Sequence, residues 1–361
     1  MNSRRYGFGR IDGGNIKNLL VMIKTAVVIL NWNGSGFLAR FLPDLVEKSR
    51  SSDCRIYLAD NGSTDNSVEW TISALPEVEI IRMETNLGFS GGYNSALSEI
   101  DAEYFILVNS DIEVTEGWIK PLVDHLDNHP LTAICQPKIL SESRRDYFEY
   151  AGAAGGYIDK YGYPFCRGRI QDSIEMDKGQ YDNSVPIFWA SGACMIIRSL
   201  VWKEMNGFDA DFFAHMEEID LCWRVLAAGY DIYFIPGSSV YHVGGGTLTY
   251  DSPGKVFLNF RNNLYMLHKN LPGNGYRWLI FRRMVLDGIA GIRFMAMLRF
   301  NSCFQIIRAH LDYYRHIRSL GIKRDRLKKS AKPIKEGLIL NKSIIYGFYI
   351  KGKKLFTDYT L

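Results

Sequence analysis

The chain has 361 residues, 47% of them hydrophobic and 23% charged, and its formal net charge is +4, a composition ordinary for a protein with a sizeable core. The six cysteines are scattered without a Cys-x-x-Cys pair, which argues against a zinc site or a disulfide framework and favours a reducing compartment. No apolar run approaches the roughly 20 residues needed to cross a bilayer, so we expect no membrane-spanning helix.

The first 21 residues are rich in Gly and Asn, carry Arg4, Arg5 and Arg10, and contain no long apolar stretch. They do not have the pattern of a secretory signal. We therefore predict a disordered leader over residues 1–22, or an upstream start ahead of Met22, and leave this segment out of the fold.

Four apolar segments predict strands buried on both faces: residues 25–30 (TAVVIL), 54–59 (CRIYLA), 78–82 (VEIIR) and 104–108 (YFILV). Helical patterns between them imply a parallel sheet with right-handed crossovers. Each segment is followed by Asn, Asp or Gly residues. In open α/β sheets the ligand lies outside the carboxyl ends of the strands, so we expect a binding site along this polar edge.

The turn after the fourth strand is Asn109, Ser110 and Asp111. A carboxylate at this place can hold a divalent cation against a phosphate. The alternative interpretation is that these residues only turn the chain and cap a helix that starts near Thr115.

Two glycine-containing segments are candidates for phosphate binding. Residues 34–39 (GSGFLA), with Asp60 at the end of the second strand, match a dinucleotide fingerprint superficially, which would indicate an NAD-dependent oxidoreductase. Residues 86–94 (NLGFSGGYN) are the better candidate, because their glycines let backbone N–H groups approach an anion at a helix N-terminus. A tight strand–helix connection is the alternative, but three glycines exceed what a turn needs.

Seven segments resemble the family-two glycosyltransferases of GT-A fold, most nearly their bacterial rhamnosyltransferase-like branch. In chain order they are VVILNWN (27–33), DNGSTD (60–65), NLGFSGGYN (86–94), NSD (109–111), SGACM (191–195), MEEIDLCWR (216–224) and YHVGGG (241–246). The resemblance implies a nucleotide-binding, mostly parallel sheet flanked by helices. It also implies inverting, metal-dependent transfer of a sugar, with rhamnose as one candidate, from a nucleotide-diphosphate sugar.

The resemblance also assigns residues on the donor side. It implies that Asp60 contacts the nucleotide base and that Asp111 and His242 bind a Mg²⁺ or Mn²⁺ ion. Asn109 stands where the family usually has the first Asp of a D-x-D motif, so Asp111 alone can supply a carboxylate there. Glycines after His242 would let a lid close over the phosphates. The full predicted donor-binding set is Asn31, Asn33, Asp60, Asn86, Gly88, Asn94, Asn109 and Asp111.

On the acceptor side, residues 217–229 predict an acidic amphipathic helix in which Asp220 and Arg224 pair one turn apart. An inverting transfer needs one base to take the proton of the acceptor hydroxyl, and the resemblance assigns this role to Glu218. Two solvated carboxylates at a helix N-terminus are the alternative. The predicted acceptor or sugar contacts are Trp189, Ser191, Gly192 and Glu217; a buried core role is the alternative for Trp189.

Beyond residue 255 the sequence mixes apolar and aromatic residues with arginine at intervals, and residues 321–356 carry eleven Lys or Arg against two acids. This pattern predicts interfacial helices on an anionic membrane surface. The alternative is that their apolar faces pack on the catalytic domain or on a second copy in a homodimer. We recognise no nucleic-acid reader module and expect no nucleic-acid partner.

These observations together predict a leader over 1–22, a GT-A domain over 23–253 and a helical basic extension over 254–361. The expected function is glycosyl transfer to a glycan or lipid-linked acceptor in cell-surface polysaccharide synthesis. We expect a cytoplasmic protein, peripheral on the inner face of the cell membrane. An NAD-dependent oxidoreductase and a non-catalytic carbohydrate-binding membrane scaffold are the alternatives.

Overall fold

A computed structural model describes residues 23–50, 52–244 and 252–359. The predicted leader and the glycines Gly245 and Gly246 lie outside the described residues. The strands are β1 Ile23–Asn31, β2 Cys54–Asn61, β3 Glu79–Met83, β4 Ala102–Asn109, β5 Ile112–Val114, β6 Thr132–Ser141, β7 Gly156–Asp159, β8 Pro164–Cys166, β9 Arg169–Ile170, β10 Ser173–Ile174, β11 Val185–Pro186, β12 Cys194–Arg198, β13 Asp231–His242 and β14 Ile339–Leu340. The helices are α1 Ser35–Ser49, α2 Ser67–Ala74, α3 Gly88–Ser98, α4 Lys120–Asn128, α5 Ser199–Glu204, α6 Glu217–Ala228, α7 Pro253–Asn270, α8 Tyr276–Ala296, α9 Phe300–Lys328 and α10 Ile344–Lys351.

The main sheet joins nine of the described strands in the order β11-β13-β6-β12-β4-β1-β2-β3, with β5 paired to β13. The four predicted strands form its parallel half, β4-β1-β2-β3. Next to them β12 runs antiparallel to both β4 and β6, while β6 and β13 are parallel to each other. The central strands are buried on both faces, as their continuous apolar runs predict.

The register of the parallel strands builds the polar edge. Asn31 lies beside Asp60, and Leu30 lies beside Asn109. After Asp111 the chain enters β5 at once, and α4 begins only at Lys120. No helix starts near Thr115, whose hydroxyl donates to the Ser239 carbonyl at 2.8 Å. The turn at residues 109–111 therefore leads from strand to strand and is not a helix cap.

A second sheet, in the order β10-β9-β8-β7-β14, lies beside the first. Its strand β14 comes from the C-terminal region and pairs parallel to β7. The Lys332 N–H also donates to the Ala227 carbonyl of α6 at 2.6 Å. The C-terminal region is mainly helical, as predicted. Through β14 and Lys332 it also contacts the second sheet and α6.

None of the helices in the described part of the chain is both long and apolar enough to cross a membrane.

Candidate active site

The ends of β1 and β2 are tied together by side-chain hydrogen bonds. Asn31 Nδ2 donates to Asp60 Oδ1 at 3.3 Å and to Ser63 Oγ at 3.1 Å. Asn33 Oδ1 accepts the Thr64 N–H at 2.7 Å. Asn31 and Asp60 are buried, and within the described residues Asn31 Oδ1 has no hydrogen-bond partner. The two asparagines thus hold the turn that presents Asp60 at the sheet edge.

The loop before α3 is held by Asn61, a residue that the sequence analysis did not single out. Asn61 Nδ2 donates to Asn86 Oδ1 at 3.1 Å and to the Gly88 carbonyl at 3.0 Å, and its Oδ1 accepts the Leu87 N–H at 2.9 Å. Asn86 Oδ1 also accepts the Gly88 N–H at 2.8 Å. Gly88 has φ +73°, and a Cβ there would collide with Phe213, so this position requires glycine.

Asp111 and His242 lie side by side, as the metal prediction requires. His242 Nε2 is 3.2 Å from Asp111 Oδ1, and His242 Nδ1 on the other side of the ring is 3.4 Å from Glu149 Oε2. All three side chains are buried. The strand β13 brings His242 beside β5, which directly follows Asp111. Glu149 was missed because its segment carries no recognisable motif.

Electrostatics keep this cluster charged in the protein alone. Burial by itself would lower the pKa of His242, but the adjacent carboxyl groups of Asp111 and Glu149 outweigh it and raise the pKa to about 10. Burial by itself would raise the pKa of Asp111, but the adjacent imidazole lowers it below its ordinary value. The two shifts together favour an ionised Asp111 beside a protonated His242.

Asp111 and His242 offer two of the donors that a divalent cation would need, with Glu149 behind the imidazole. A carboxylate oxygen and an imidazole nitrogen are donors that protein-bound metals accept, and ligating histidines usually donate their other ring N–H to a carboxylate. Glu149 occupies that second position, where His242 Nδ1 is buried without a well-formed hydrogen bond among the described residues. In the described ranges no three His, Cys, Asp or Glu side chains form a complete metal-binding group. Asp111 and His242 are therefore a partial site.

Helix α6 begins with the two acidic residues Glu217 and Glu218. Glu217 is buried, and Glu218 is partly exposed, although its Oε2 is not. Neither Glu217 Oε2 nor Glu218 Oε2 has a hydrogen-bond partner in the described part of the chain. Burial raises the pKa of Glu218 to about 7. Burial and the neighbouring Glu218 raise the pKa of Glu217 well above its ordinary value.

The third acidic residue of α6, Asp220, is fully committed to ion pairs. Arg224 Nε donates to Asp220 Oδ2 at 2.9 Å, which confirms the predicted pair. From α7, Lys269 Nζ is also 2.9 Å from Asp220 Oδ2, and Asn270 Nδ2 is 2.8 Å from Oδ1. Burial opposes ionisation, but Lys269 and Arg224 hold the pKa of Asp220 below its ordinary value. Asp220 therefore anchors the helix and is unavailable as a base.

Gly192 lies close to Glu218. A Cβ at Gly192 would be 3.2 Å from the ring of Phe89 and 3.8 Å from Glu218 Cβ. The next residue along the chain, Ala193, accepts the Asn109 N–H through its carbonyl at 2.9 Å. The base candidate is thus connected, through one short loop, to the turn that carries Asp111.

Three predicted contact residues have structural partners instead. The indole N–H of Trp189, a side chain only 4% exposed, donates to the Tyr157 carbonyl at 2.9 Å, so the ring is a core residue and not a stacking platform. Asn94 bonds the Phe208 N–H at 2.9 Å and the Phe208 carbonyl at 2.8 Å. Ser191 is buried, and its hydroxyl accepts the Ala193 N–H at 3.2 Å. Their polar groups hold neighbouring backbone segments in place.

The dinucleotide fingerprint is also not supported. Gly36 lies inside the first turn of α1, and a Cβ there would meet no atom within 4 Å. The packing of the protein itself therefore does not require glycine at this position.

Comparisons with known proteins find glycosyltransferases similar to this chain. The model of the family described as "Glycosyl transferase family 2" matches residues 26–198. The N-acetylglucosaminyl-diphospho-decaprenol L-rhamnosyltransferase of Mycobacterium tuberculosis is 23% identical over 287 residues, which are 76% of this chain and 92% of that protein. The low-salt glycan biosynthesis hexosyltransferase Agl10 of Haloferax volcanii is 24% identical over 57% of this chain and 64% of its own length.

Among solved structures, the chain is similar to GalNAc-T7, crystallised with UDP, GalNAc and Mn²⁺, with a TM-score of 0.56 and 14% sequence identity. The match covers 83% of this chain and 58% of that one. This similarity concerns the fold, and it confirms the predicted GT-A architecture. None of the matched proteins supports the oxidoreductase interpretation.

Proposed function

We propose that this chain, a glycosyltransferase whose residues 26–198 form a glycosyl transferase family 2 domain, inverts the anomeric carbon of a nucleotide-diphosphate sugar as it transfers the sugar. The proposed acceptor is a glycan carried on a lipid diphosphate, and L-rhamnose is the first candidate sugar, because both occur in the name of a relative that this chain covers over 92% of its length.

One observation carries the proposal: the short loop at residues 191–193 approaches Glu218, a carboxylate of raised pKa, through Gly192 and bonds through the Ala193 carbonyl to the turn that carries Asp111. In the proposed reaction the oxygen of the acceptor hydroxyl forms a bond to the anomeric carbon. The bond between that carbon and the diphosphate oxygen breaks, and the diphosphate leaves with the electron pair. Glu218 receives the hydroxyl proton, and its pKa near 7 suits a base that works at neutral pH.

Asp111 and His242 would hold Mg²⁺ or Mn²⁺, with the donor diphosphate and water supplying the remaining ligands. The ion would offset the negative charge on the leaving diphosphate. Glu149 would fix the imidazole so that its Nε2 faces the ion. Asp60, held by Asn31 and adjacent turns, would contact the nucleotide base.

The donor assignment is tested by a thermal-shift panel of UDP-, GDP- and dTDP-linked sugars, including dTDP-L-rhamnose, with and without Mn²⁺. We expect one sugar nucleotide to stabilise the protein only when Mn²⁺ is present. Asp111→Ala should remove this metal dependence. Asp60→Ala should weaken the binding of every donor that carries the same nucleotide base. Unchanged calorimetric affinity for the best donor in Asp111→Ala would show that the metal assignment is wrong.

The C-terminal helices supply a surface for an anionic membrane. Helix α8 exposes apolar side chains at spacings of three and four residues, and α9 continues the same pattern: Trp278, Phe281, Val285, Ile289, Ile292 and Met295 on α8, and Phe300, Phe304, Ile307, Leu311 and Tyr314 on α9. At its edge lies an open groove of about 650 Å³ whose cationic lining residues are Lys160, Arg282 and Lys342. A large apolar patch with a basic rim matches an anionic lipid surface.

We therefore place the protein on the cytoplasmic face of the cell membrane and test this with vesicles. Wild type should co-sediment with vesicles containing anionic lipid and not with neutral vesicles, and high salt should reduce the binding, because each basic residue near the surface contributes about 1 kcal/mol. Ile292→Glu, in the apolar face, should weaken binding. Leu200→Glu is the control. It changes an apolar side chain on α5 that is 78% exposed and lies outside this face, so it should leave vesicle binding unchanged.

The competing interpretation is that a second copy of the chain covers this apolar face in a homodimer. Analytical ultracentrifugation would detect it as a dimer in wild type that Ile292→Glu dissociates. That result, together with equal sedimentation of both variants with vesicles, would contradict the membrane assignment.

A further inference from the structure

We infer that Asn262, on α7 and outside the matched family domain, is a positioning residue that holds the loop in front of α6 and so sets the place of Glu218. This inference rests on the proposed role of Glu218 as the base. It makes the C-terminal region part of the catalytic machinery and not only a membrane-binding appendage.

The contacts of Asn262 converge on one loop. Its Nδ2 lies 2.9 Å from the Phe212 carbonyl oxygen, 2.8 Å from that of Ala214 and 2.7 Å from that of His215. Its Oδ1 accepts from Arg261 Nε at 2.8 Å, which fixes the orientation of the amide. The side chain is 0% exposed. A single buried amide therefore gathers three carbonyl groups of the segment that leads into α6.

This loop needs to be held because of its backbone conformation. Phe213, His215 and Met216 have φ angles of 63°, 71° and 72°. Side chains with a Cβ rarely adopt this left-handed region, and such strain persists only where surrounding contacts enforce it. Met216 is the N-cap of α6 and immediately precedes Glu217. Relaxation of the loop would therefore displace the first turn of the helix, which carries Glu217 and Glu218.

The loop also contacts the predicted phosphate-binding segment. The Phe213 carbonyl accepts the Ser90 N–H at 3.1 Å, and Phe213 fills the space that a side chain at Gly88 would occupy. Asn262 thus fixes the distance between the donor loop and the base. Catalytic rates are sensitive to this distance, since a misplacement of about 1 Å can reduce turnover on the order of 10²-fold.

The surroundings of Glu218 give a second readout. Glu217 and Cys222 on the same helix are electrostatically coupled to it, and Asp220 acts on Glu217. Gly192, which lies against Glu218, and Phe89, which lies against Gly192, carry no charge. Its ionisation is therefore governed by burial. If the start of α6 loosens, water reaches the carboxylate and the pH at which the base ionises falls.

The neighbouring Asn263 provides a matched control. It is on the same helix, 1% exposed, and its Nδ2 donates to one backbone carbonyl, that of Gly162, at 2.9 Å. Its partner lies outside the loop before α6. Asn262→Ala and Asn263→Ala therefore remove the same group from the same environment, and only the first removes contacts with the loop.

The experiment measures kcat, KM and the pH profile of transfer from dTDP-L-rhamnose, or the panel member that stabilises the protein most, to an N-acetylglucosaminyl-diphospho-lipid. Asn262→Ala should lower kcat by about 10- to 100-fold, change KM for the donor little, and move the acid limb of the profile to lower pH. Asn263→Ala should leave the acid limb at the wild-type pH and kcat within a few-fold.

A shared response of the two variants, or a fall in kcat for Asn262→Ala with an unmoved acid limb, would overturn the inference. If Asn262→Ala does not fold, Asn262→Ser retains one donor and undergoes the same comparison. Failure of the underlying function is recognised separately: a Glu218→Gln enzyme near wild-type activity removes the base assignment, whereas an inactive Glu218→Gln with an ordinary Asn262→Ala removes only the positioning role.

Discussion

The two acidic clusters of this protein contain similar residues in opposite electrostatic states. At the donor end, the buried carboxylates of Asp111 and Glu149 flank one imidazole, which raises the pKa of His242 to about 10 and lowers that of Asp111. At the proposed acceptor end, Glu217 and Glu218 follow one another with no cation paired to them among the described residues, and both pKa values are raised. The neighbours of a carboxyl group set its pKa. They therefore decide whether the group stays ionised, as a cation ligand must, or can accept a proton near neutral pH.

Within α6, the pKa values of carboxyl groups only a few residues apart are shifted in opposite directions. Asp220 lies within one turn of Glu217, yet it is paired with Arg224 and Lys269 and has a lowered pKa. Arg224 of α6 and Lys269 of α7 thus pair with Asp220, three residues from Glu217. Within the described residues no cation pairs with Glu217 or Glu218, so burial holds the pKa of Glu218 at about 7 and that of Glu217 well above its ordinary value.

The largest effect should come from removing the base. Glu218→Gln preserves shape but cannot accept the hydroxyl proton, so we expect turnover at saturating donor to fall by roughly 10²- to 10⁴-fold while donor binding survives. Single-turnover transfer and donor calorimetry measure the two quantities. Glu217→Gln is the control and should lose less, mainly in acceptor affinity. A Glu218→Gln enzyme within a few-fold of wild type would redirect the search to Glu217.

A smaller effect is expected at the donor end from the residue behind the imidazole. Glu149→Gln can still accept the Ala151 N–H but no longer holds His242 with a charge. Substitutions of this kind reduce metal affinity about 10- to 100-fold. The measurement is calorimetric titration of Mn²⁺ into protein saturated with a nucleoside diphosphate.

The control for that titration is Glu142→Gln, because Glu142 lies near the same strand end but pairs with Arg40. Its Mn²⁺ affinity should equal that of wild type. Equal losses in Glu142→Gln and Glu149→Gln would indicate a general effect of removing negative charge and would contradict a specific role for Glu149.

The sequence predicted those features that depend on neighbours along the chain. The four parallel strands, their polar ends and the acidic start of α6 are all visible as local patterns, because burial and strand termination act residue by residue. The Asp220–Arg224 pair was predictable for the same reason, since helical spacing places the two side chains one turn apart.

Roles that depend on distant contacts were not visible. Glu149 and Asn262 carry no motif, and Asn61 lies in the DNGSTD segment without a predicted role. Each acquires its role from a partner on another element: His242, the loop before α6, and the loop at residues 86–88. The same limit explains Trp189 and Asn94, whose residue types suit a ligand contact but whose polar groups are taken by Tyr157 and Phe208.

The smallest effect concerns stability and tests the acceptor end without any substrate. The ordinary pKa of a glutamate here is 4.5, and that of Glu217 in the folded protein is well above it. The folded state therefore holds the proton more tightly than the unfolded state, so this group costs stability as pH rises above 4.5.

Glu217→Gln cannot ionise. We expect it to raise the free energy of unfolding at pH 8, with a difference that shrinks towards zero as pH falls below 4.5. Urea unfolding at pH 5 and pH 8 measures the change. Asp111→Asn should behave oppositely at pH 8, because a carboxylate of lowered pKa stabilises the fold when ionised. A Glu217→Gln benefit that is the same at both pH values would show that shape, and not charge, governs this end of the site.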